Sequence, residues 1–339
     1  MQPVQTRRQS IRTLAVAAAS VFAAGTTRSQ PVKTLRFGHV LTETHPYHLG
    51  LVKFGQELER LTNGSVKVAI YSNGQLGGEI KLIEGMGLGI VDGCAVAASS
   101  LALTSGQKKF YLLDLPFVFG NYDAIEKFAN SNVAQQLTTV RPGTGVRILG
   151  LATAGFHQML NTKKPIVTPD DLRGMKFRVW ESPSASLALD MIGMTPTPMA
   201  FGEVFTAMQQ GVVDGFTNSL TTFHLSKMYE VGKFVTMTNH QYTCVFPMIS
   251  EAVFSSLKKN EQDAVVQAGK EACRYWRAMY PVQDAEFRPK LQAAGCRINE
   301  ADRAAFVRHV RPQYKRFVQL IGEPGTGKLI EQMVEIAGA

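Results

Sequence analysis

The sequence has 339 residues, of which 45% are hydrophobic and 19% charged, which is ordinary for a water-soluble globular protein large enough for two domains. The formal net charge is +9, and Arg7, Arg8, Arg12 and Arg28 supply part of it without an acidic neighbour before Pro31. A mild positive charge helps to attract anionic small molecules, but no basic cluster is interleaved with aromatic residues, which argues against a nucleic-acid-binding protein.

The N-terminal residues have the pattern of an export signal. A basic segment at residues 6–12 precedes an apolar run at residues 13–24, and small residues follow that run. The paired Arg7 and Arg8 favour the twin-arginine export route, with an ordinary secretory signal as the alternative. The apolar run is too short for a transmembrane span, and no later stretch is long and apolar enough for one. We therefore predict that residues 1–30 are a signal peptide and that the mature chain is exported and soluble.

The first half of the chain alternates predicted strands and helices. Apolar patterns predict strands at residues 35–40, 66–70, 90–97 and 148–154, a helix at residues 49–61, and a helix that ends near Met86. The order strand, helix, strand, helix, strand is typical of half of an open α/β sheet.

The second half continues this alternation. Strands are predicted at residues 175–180, 234–238 and 243–249, helices at residues 187–194 and 202–210, and a turn at residues 195–198. A long helix is predicted from residue 256 to 280, which Pro281 should kink or break before helix resumes at residues 286–294. Helices are predicted for most of residues 297–339.

Arg178 and Asn218 are the strongest candidate binding residues. Both should fall at strand ends, which is where ligands bind in open α/β sheets. A guanidinium group matches a carboxylate with two parallel hydrogen bonds, and an asparagine side chain can donate one more hydrogen bond and accept one. From chemistry alone the alternative remains open that Arg178 is a surface strand residue and Asn218 a turn residue.

The region around these two residues resembles the signature region of the DctP-type substrate-binding proteins of TRAP (tripartite ATP-independent periplasmic) transporters. In that family a segment like LKGLKIRV is followed by GA-PTPM-FSEVY-ALQ-GVVDG-EN. The matching positions here are residues 172–179, 193–199, 201–204, 207–209, 211–215 and 218. Residues 75–77, Glu79, Gly89, Asp92 and the LPF-F segment at residues 115–119 match as well. The resemblance implies that Arg178 is the arginine that clamps the ligand carboxylate and that Asn218 supports it.

The resemblance also implies a fold and a function. It implies an α/β, periplasmic-binding-protein-like fold with two lobes, hinge strands and a long helix spanning both. Lobe I would comprise residues 31–154 and 245–283, and lobe II residues 155–244 and 284–339. The protein would be a periplasmic receptor that binds an organic acid, needs no cofactor and catalyses nothing. It would pass the ligand to a small and a large membrane subunit, whose transport is driven by an ion gradient.

Three further candidate contacts follow from positions near the signature. His45 and Pro46 should shape the loop into the first helix, near the mouth of the ligand site. Glu79 matches the family at the end of its NGQLG-E segment. Some relatives, notably those for sialic acid, carry an arginine where His157 stands, an acid at Ala97 and an asparagine at Val40, so sialic acid is not expected. His157 could still donate a hydrogen bond to an anion, and a packed neutral histidine is the alternative.

Two aromatic residues and one acid flank the predicted clamp. Trp180 and Phe216 could line the pocket as an apolar wall, and core packing is the competing interpretation for each. Glu203 should either orient Arg178 or cap the helix that it begins.

Several other interpretations are weaker. His39, His45 and His48 lack the spacing and the acidic partner of a metal site. Residues 322–328 have the spacing of a phosphate-binding loop, but Leu329 stands where serine or threonine is required. Four cysteines fit no zinc motif; buried free thiols are the default prediction, and a Cys273–Cys296 disulfide is possible in an exported protein.

Two other functions stay open. One is a receptor that signals through a sensor protein instead of feeding a transporter. The other is a secreted hydrolase or lyase on the same scaffold, although no Gly-x-Ser-x-Gly or His-Glu-x-x-His motif occurs. The ligand is not identified, because dicarboxylates, aromatic acids and hydroxy or oxo acids all fit; monocarboxylates with an apolar body are slightly favoured.

Overall fold

The computed structural model describes residues 32–338, and the predicted signal peptide lies outside these residues. The chain is built around one mixed sheet in the order β2-β1-β3-β9-β5-β8-β6-β7, with β4 and β10 also paired to β9. Its strands are β1 (Lys33–Gly38), β2 (Val66–Tyr71), β3 (Gly93–Ala97), β4 (Val146–Ile148), β5 (Ala152–Asn161), β6 (Lys176–Val179), β7 (Thr195–Pro198), β8 (Gly215–Asn218), β9 (Phe234–Ser250) and β10 (Arg297–Glu300).

Helices cover both faces and the ends of this sheet. They are α1 (Pro46–Leu61), α2 (Glu79–Gly87), α3 (Ala98–Ser105), α4 (Tyr122–Ala129), α5 (Asn132–Thr138), α6 (Pro183–Ile192), α7 (Val204–Gln209), α8 (Leu220–Leu225), α9 (Glu251–Ser255), α10 (Lys259–Ala293), α11 (Arg303–Val310), α12 (Lys315–Ile321) and α13 (Thr326–Ala337). Between residues 32 and 338, none of the helices has the length and apolar character needed to cross a membrane.

The first strands and helices form as predicted. Strand β1 pairs in parallel with both β2 and β3, and α1 and α2 connect them. Helix α1 begins three residues earlier than predicted, at Pro46, because His45 caps it. The His45 ring Nδ1 accepts a hydrogen bond from the backbone N–H of Tyr47 at 3.3 Å, and the fixed φ of proline suits the first helical position.

Strand β9 is the connection between the two halves of the sheet. The two strands predicted at residues 234–238 and 243–249 are a single strand of 17 residues. It pairs with β3 and β4 at one end and with β5 along much of its length. The β5–β9 register shifts twice, between Thr153 and Phe156 and between His157 and Met159. Such bulges bend a strand and locally interrupt the regular hydrogen-bond pairing with its neighbour.

The predicted turn at residues 195–198 is wrong, because these residues form strand β7. It pairs in parallel with β6, with Thr195 opposite Lys176 and Thr197 opposite Arg178. Strand β7 is the last in the sheet order. The missing N–H groups of Pro196 and Pro198 are tolerated on an edge strand, where they interrupt no ladder on the outer side.

Helix α10 runs unbroken for 35 residues through Pro281 and Pro289, so of the two effects predicted for Pro281, a kink or a break, the break does not occur. Trp276 and Tyr280, before the proline, pack in one apolar cluster together with α1. Phe287 and Leu291, after it, pack in another with α7 and α8. Burial on both sides offsets the roughly 3 kcal/mol that a proline costs inside a helix. The helix thereby joins two separate cores, whereas the exact lobe boundaries at residues 154–155, 244–245 and 283–284 stay a prediction.

The four cysteines are buried and unbridged, as the default prediction held. Cys94, Cys244, Cys273 and Cys296 are all free thiols. The possible Cys273–Cys296 disulfide is therefore not formed. Burial raises the pKa of the Cys273 thiol to about 12, so this thiol is protonated and unreactive at neutral pH.

Candidate functional site

A cavity lies where the carboxyl ends of several strands meet. It encloses about 610 Å³ of space, part of it continuous with solvent, which is within the usual range for small-molecule sites. Strands β1, β3, β6 and β8 end at it, and β5 and β9 cross beside it. The lining residues are Val40, Leu41, Tyr47, Glu79, Ile80, Ala97, Ser100, Ala154, His157, Arg178, Trp180, Glu181, Ala200, Phe201, Asn218 and Thr243.

Arg178 is a buried cation in the wall of this cavity. Its side chain is 4% exposed, and its Nε donates a hydrogen bond to the carbonyl of Met199 at 3.1 Å. The guanidinium carbon lies 5.7 Å from the centre of the Phe201 ring. Among residues 32–338 its two terminal nitrogens have no hydrogen-bond partner and no acid within ion-pair distance. Buried charges are normally paired, so a guanidinium without an acidic partner is an unusual feature of a cavity wall.

The charge on Arg178 survives its burial. Desolvation lowers the pKa of the guanidinium to about 10, while the acids Glu79, Glu181 and Glu203 act in the opposite direction. A pKa of about 10 leaves the group protonated at neutral pH. The cavity therefore presents a full positive charge with a planar pair of donors, which suits a carboxylate.

Asn218 supplies a second donor beside Arg178. It is the last residue of β8, where it lies opposite Gln158 of β5. Its Oδ1 accepts a hydrogen bond from the backbone N–H of Ser219 at 2.8 Å, which fixes the orientation of the amide. No residue in the described part of the chain accepts a hydrogen bond from its Nδ2. The amide N–H₂ group therefore has donor capacity that no described residue uses.

His157 also lines the cavity, but it contributes no charge. It is 1% exposed, its Nδ1 lies 3.4 Å from Thr217 Oγ1, and its ring meets Trp180 edge-on with centroids 5.7 Å apart. Burial, with help from His240 and Arg178, lowers the pKa of the ring well below its ordinary value. The ring is therefore neutral at physiological pH and offers one hydrogen bond at Nε2, which has no partner between residues 32 and 338.

Trp180 is held in the cavity wall by a buried polar network. Its indole N–H donates to Ser99 Oγ at 2.9 Å. Ser99 also hydrogen-bonds to the carboxyl group of Asp114, which accepts a further bond of 2.6 Å from Ser184 Oγ. Asp114 is only 1% exposed. This network was not predicted from the sequence, although an acid within the apolar segment 110–119 was a usable signal.

The buried Asp114 should make the stability of the protein depend on pH. Burial raises the pKa of its carboxyl to about 7, whereas in the unfolded chain the pKa is about 4. Between these values the folded state holds a proton that the unfolded state has lost. The free energy of unfolding therefore falls as pH rises from about 4 to about 7, by up to about 4 kcal/mol from this group.

Asp114→Asn is expected to flatten the pH profile of stability in that interval. The test is the unfolding midpoint in urea, measured from pH 4.5 to 8 for the native protein and the variant. Asp170→Asn is the control, because Asp170 is an exposed partner of Arg173. Parallel profiles for the native protein and Asp114→Asn would contradict the assignment.

Glu79 faces Arg178 from the other half of the sheet. It is the first residue of α2, and its Oε2 accepts hydrogen bonds from the backbone N–H of Ala97 at 3.1 Å and from Ser100 Oγ at 2.6 Å. Its Oε1 has no partner in the described residues. Burial raises the pKa of this carboxyl, an effect that the hydrogen bonds and the charge of Arg178 oppose.

Two predicted contacts lie away from the cavity. Phe216 is fully buried against Phe223, with ring centroids 5.1 Å apart, so it packs in the core as the alternative interpretation held. His45 is buried behind the cavity, where its Nε2 lies 3.1 Å from Thr222 Oγ1. Glu203 is exposed and neither hydrogen-bonds to Arg178 nor caps α7 with its side chain.

The structure thus brings Arg178, Asn218, His157, Trp180 and Glu79 together in one cavity. Sequence reasoning missed several other lining residues, which are Tyr47, Ser100, Glu181, Phe201 and Thr243. Tyr47 directly follows the His45-Pro46 pair that was expected near the mouth, so its neighbourhood gave a partial signal. Thr243 lies in β9 at a register shift of the β5–β9 pairing, where alternation along the strand no longer predicts which side chains line the cavity.

Known proteins share this architecture. The model of the family described as bacterial extracellular solute-binding protein, family 7 (DctP), matches residues 37–320. A solute-binding protein of Roseobacter denitrificans is 35% identical over 277 residues, which are 80% of this chain and 83% of the relative.

Solved structures agree with this match. A TRAP periplasmic solute-binding protein from a Polaromonas species, bound to D-erythronate, has a TM-score of 0.84 at 28% identity, covering 89% of this chain and 98% of that one. One from Sulfurospirillum deleyianum, with bound succinate, has a TM-score of 0.81 at 30% identity with the same coverage of 89% and 98%. The two-lobed α/β fold with a long helix, expected from the sequence, is confirmed.

Proposed function

Because this chain belongs to the bacterial extracellular solute-binding proteins of family 7, we propose that it is a periplasmic receptor that binds an organic acid through Arg178. The observation that carries this proposal is the buried, unpaired guanidinium in the wall of the cavity. The bound D-erythronate and succinate of two similar structures are both carboxylates, in agreement with an acid as the ligand here. Export of the receptor is expected from the sequence pattern of residues 1–30.

The binding step is proposed to combine a clamp with closure. Arg178 and Asn218 belong to the predicted lobe II, and Glu79 and Ser100 to the predicted lobe I. A ligand carboxylate would bind first to the clamp, and contacts from lobe I would then stabilise the closed form. The ligand can shift this equilibrium only by its greater affinity for the closed state. Strands β5 and β9 and helix α10 connect the lobes, so they are the expected hinge.

The receptor is proposed to act by binding alone and to deliver its ligand to the small and large membrane subunits of a TRAP transporter. The polar groups of the cavity suit recognition rather than catalysis. The His157 ring is neutral, and in the described residues its only hydrogen-bonding neighbour is the Thr217 hydroxyl, which has no further base beside it in a catalytic arrangement. Ser100 donates to Glu79 in a contact that orients the carboxylate. The two membrane subunits are proposed as partners because receptors of this family work with them.

A thermal-shift screen tests the proposed function. The mature protein is unfolded and refolded to release any co-purified ligand, and then heated with single organic acids, neutral sugars and amines. An acid at ~1,000 times its dissociation constant should add about 4 kcal/mol to the free energy of unfolding. The proposal expects a raised melting temperature with acids only. A rise with neutral sugars or amines, and none with acids, would contradict it.

A further inference from the structure

Polar side-chain atoms without protein partners also belong to other residues that line the cavity with Arg178. Within residues 32–338 they are Tyr47 Oη, Glu79 Oε1, His157 Nε2, Asn218 Nδ2 and Thr243 Oγ1. His157 Nε2 and Thr243 Oγ1 are fully buried, and buried polar groups are almost always hydrogen-bonded in native proteins. An acid with an apolar body would bind Arg178 through its carboxylate. The polar atoms of the other lining residues would then be removed from water without gaining a hydrogen bond. A ligand that carries several hydroxyl groups would satisfy them.

The charges of the cavity limit the ligand to one carboxylate. Arg178 is the single formal cation among the lining residues, since His157 is neutral, and Glu79 and Glu181 are acids. A dicarboxylate bound at Arg178 would bring its second carboxylate into a cavity that has no further cation and two acidic side chains. Like charges at short distance repel strongly where solvent screens them little, as at Glu79; Glu181 is exposed and contributes less. A hydroxyl group at the same place can donate to a carboxylate oxygen instead.

Glu79 is the residue best placed to make this distinction. Its Oε2 is fixed by Ala97 N–H and Ser100 Oγ, so its free Oε1 is oriented before any ligand arrives. A hydrogen bond from a ligand hydroxyl to an oxygen that is already oriented contributes more to affinity, because less side-chain entropy is lost on binding. Burial raises the pKa of the Tyr47 phenol well above its usual range, and the charge of Glu79 raises it further. The two side chains thus offer an acceptor and a donor on the same side of the cavity.

We propose that the ligand is a monocarboxylate whose carbon chain carries hydroxyl groups, and that Glu79 binds one of these hydroxyls and rejects a second carboxylate. The inference rests on the proposed function, because it takes Arg178 as the carboxylate clamp. The hydroxyl groups would then lie towards α2 and α3, opposite β6 and β8. The ligand would bridge the two halves of the sheet, with its carbon chain against the apolar wall formed by Val40, Leu41, Ile80, Ala154, Ala200 and Phe201.

Acids of equal length test the ligand class. Calorimetric titrations compare butanoate, the stereoisomers of 2,3,4-trihydroxybutanoate, and succinate, followed by the six-carbon series hexanoate, galactonate and galactarate. A site built to bind hydroxyls rejects analogues that lack them, so the best hydroxy monocarboxylate should bind at least ~100-fold more tightly than the unsubstituted acid and the diacid of its series. The inference is overturned if the diacid or the unsubstituted acid of a series binds as tightly as the best hydroxy monocarboxylate of that series.

The variant Glu79→Gln tests the assigned residue. Glutamine keeps an oxygen for Ala97 N–H and Ser100 but removes the negative charge. The best hydroxy acid is expected to bind about 10-fold more weakly and the matching diacid more tightly, so the ratio of the two affinities shrinks. Glu84→Gln, in the exposed face of the same helix, is the control and should leave the ratio unchanged. If Glu79→Gln leaves the ratio of the two affinities unchanged, Glu79 does not distinguish the hydroxy acid from the diacid.

Arg178→Met separates failure of this inference from failure of the proposed function. If acids bind, lose affinity in Arg178→Met and show no preference for hydroxy monocarboxylates, the ligand class is wrong and the receptor function stands. If no acid of either series binds the native protein, both the inference and the proposed function are overturned.

Discussion

Arg178→Met is expected to weaken binding of the acid ligand by ~30-fold to several-thousand-fold. Removal of one member of a buried, hydrogen-bonded charge pair costs about 2–5 kcal/mol, which converts to that range of dissociation constants. The loss should fall in this range because methionine keeps the volume and apolar stem but removes every donor. Titration calorimetry with the tightest acid from the screen measures it.

The same substitution should leave the ligand-free protein as stable as before or more so. The guanidinium is 4% exposed and makes one hydrogen bond, to Met199, so the ligand-free protein carries an uncompensated buried charge. Replacing such a charge by an apolar side chain is often neutral or stabilising. Arg147→Met is the control, since Arg147 pairs with Glu251 away from the cavity. Parallel losses of affinity and melting temperature in Arg178→Met would instead indicate a structural role.

Gly50→Ala is expected to lower the melting temperature by roughly 2 to 5 °C. A Cβ at Gly50 of α1 would lie 2.3 Å from Cε3 of Trp276 in α10, which is too close for any real contact. Trp276 is fully buried and stacks edge-on against Tyr47, so the ring has no free space to move into. Overpacking costs about 1–3 kcal/mol or more, which exceeds the 0.5–1 kcal/mol that alanine gains over glycine in a helix.

A matched pair of variants controls this prediction. A Cβ at Gly87 of α2 would meet no atom within 4 Å, so Gly87→Ala should leave the melting temperature unchanged or raise it. The double variant Gly50→Ala with Trp276→Leu should be more stable than the sum of the single effects predicts, because leucine removes the clash. If the Gly50→Ala variant has the same melting temperature as the native protein, α1 and α10 are not packed this closely.

The parts of the fold that local patterns determine were predictable. Strands β1, β2 and β3 alternate or are continuously apolar, and the helices between them have ordinary amphipathic spacing. Arg178 and Asn218 were predictable because the long ordered resemblance at residues 172–218 places them, and the structure puts both in the cavity wall. Chemistry alone left their surface roles open.

The missed features depend on contacts between distant segments. Strand β7 contains two prolines and reads as a turn, and only its place at the sheet edge makes it a strand. Helix α10 passes Pro281 because Tyr280 and Phe287 are buried in different cores. Phe216 shares a sheet face with its β6 partner Arg178, but it lies two residues before the end of β8, where its ring packs against Phe223 of α8 instead of lining the cavity.

A crystal structure of the protein with the tightest acid from the screen tests the central claim most directly. The account predicts one carboxylate of the ligand in the cavity, with both of its oxygens about 2.8 Å from the terminal nitrogens of Arg178 and one of them also bound by Asn218 Nδ2. A carboxylate bound elsewhere in the cavity, with the Arg178 guanidinium still unpaired, would contradict it.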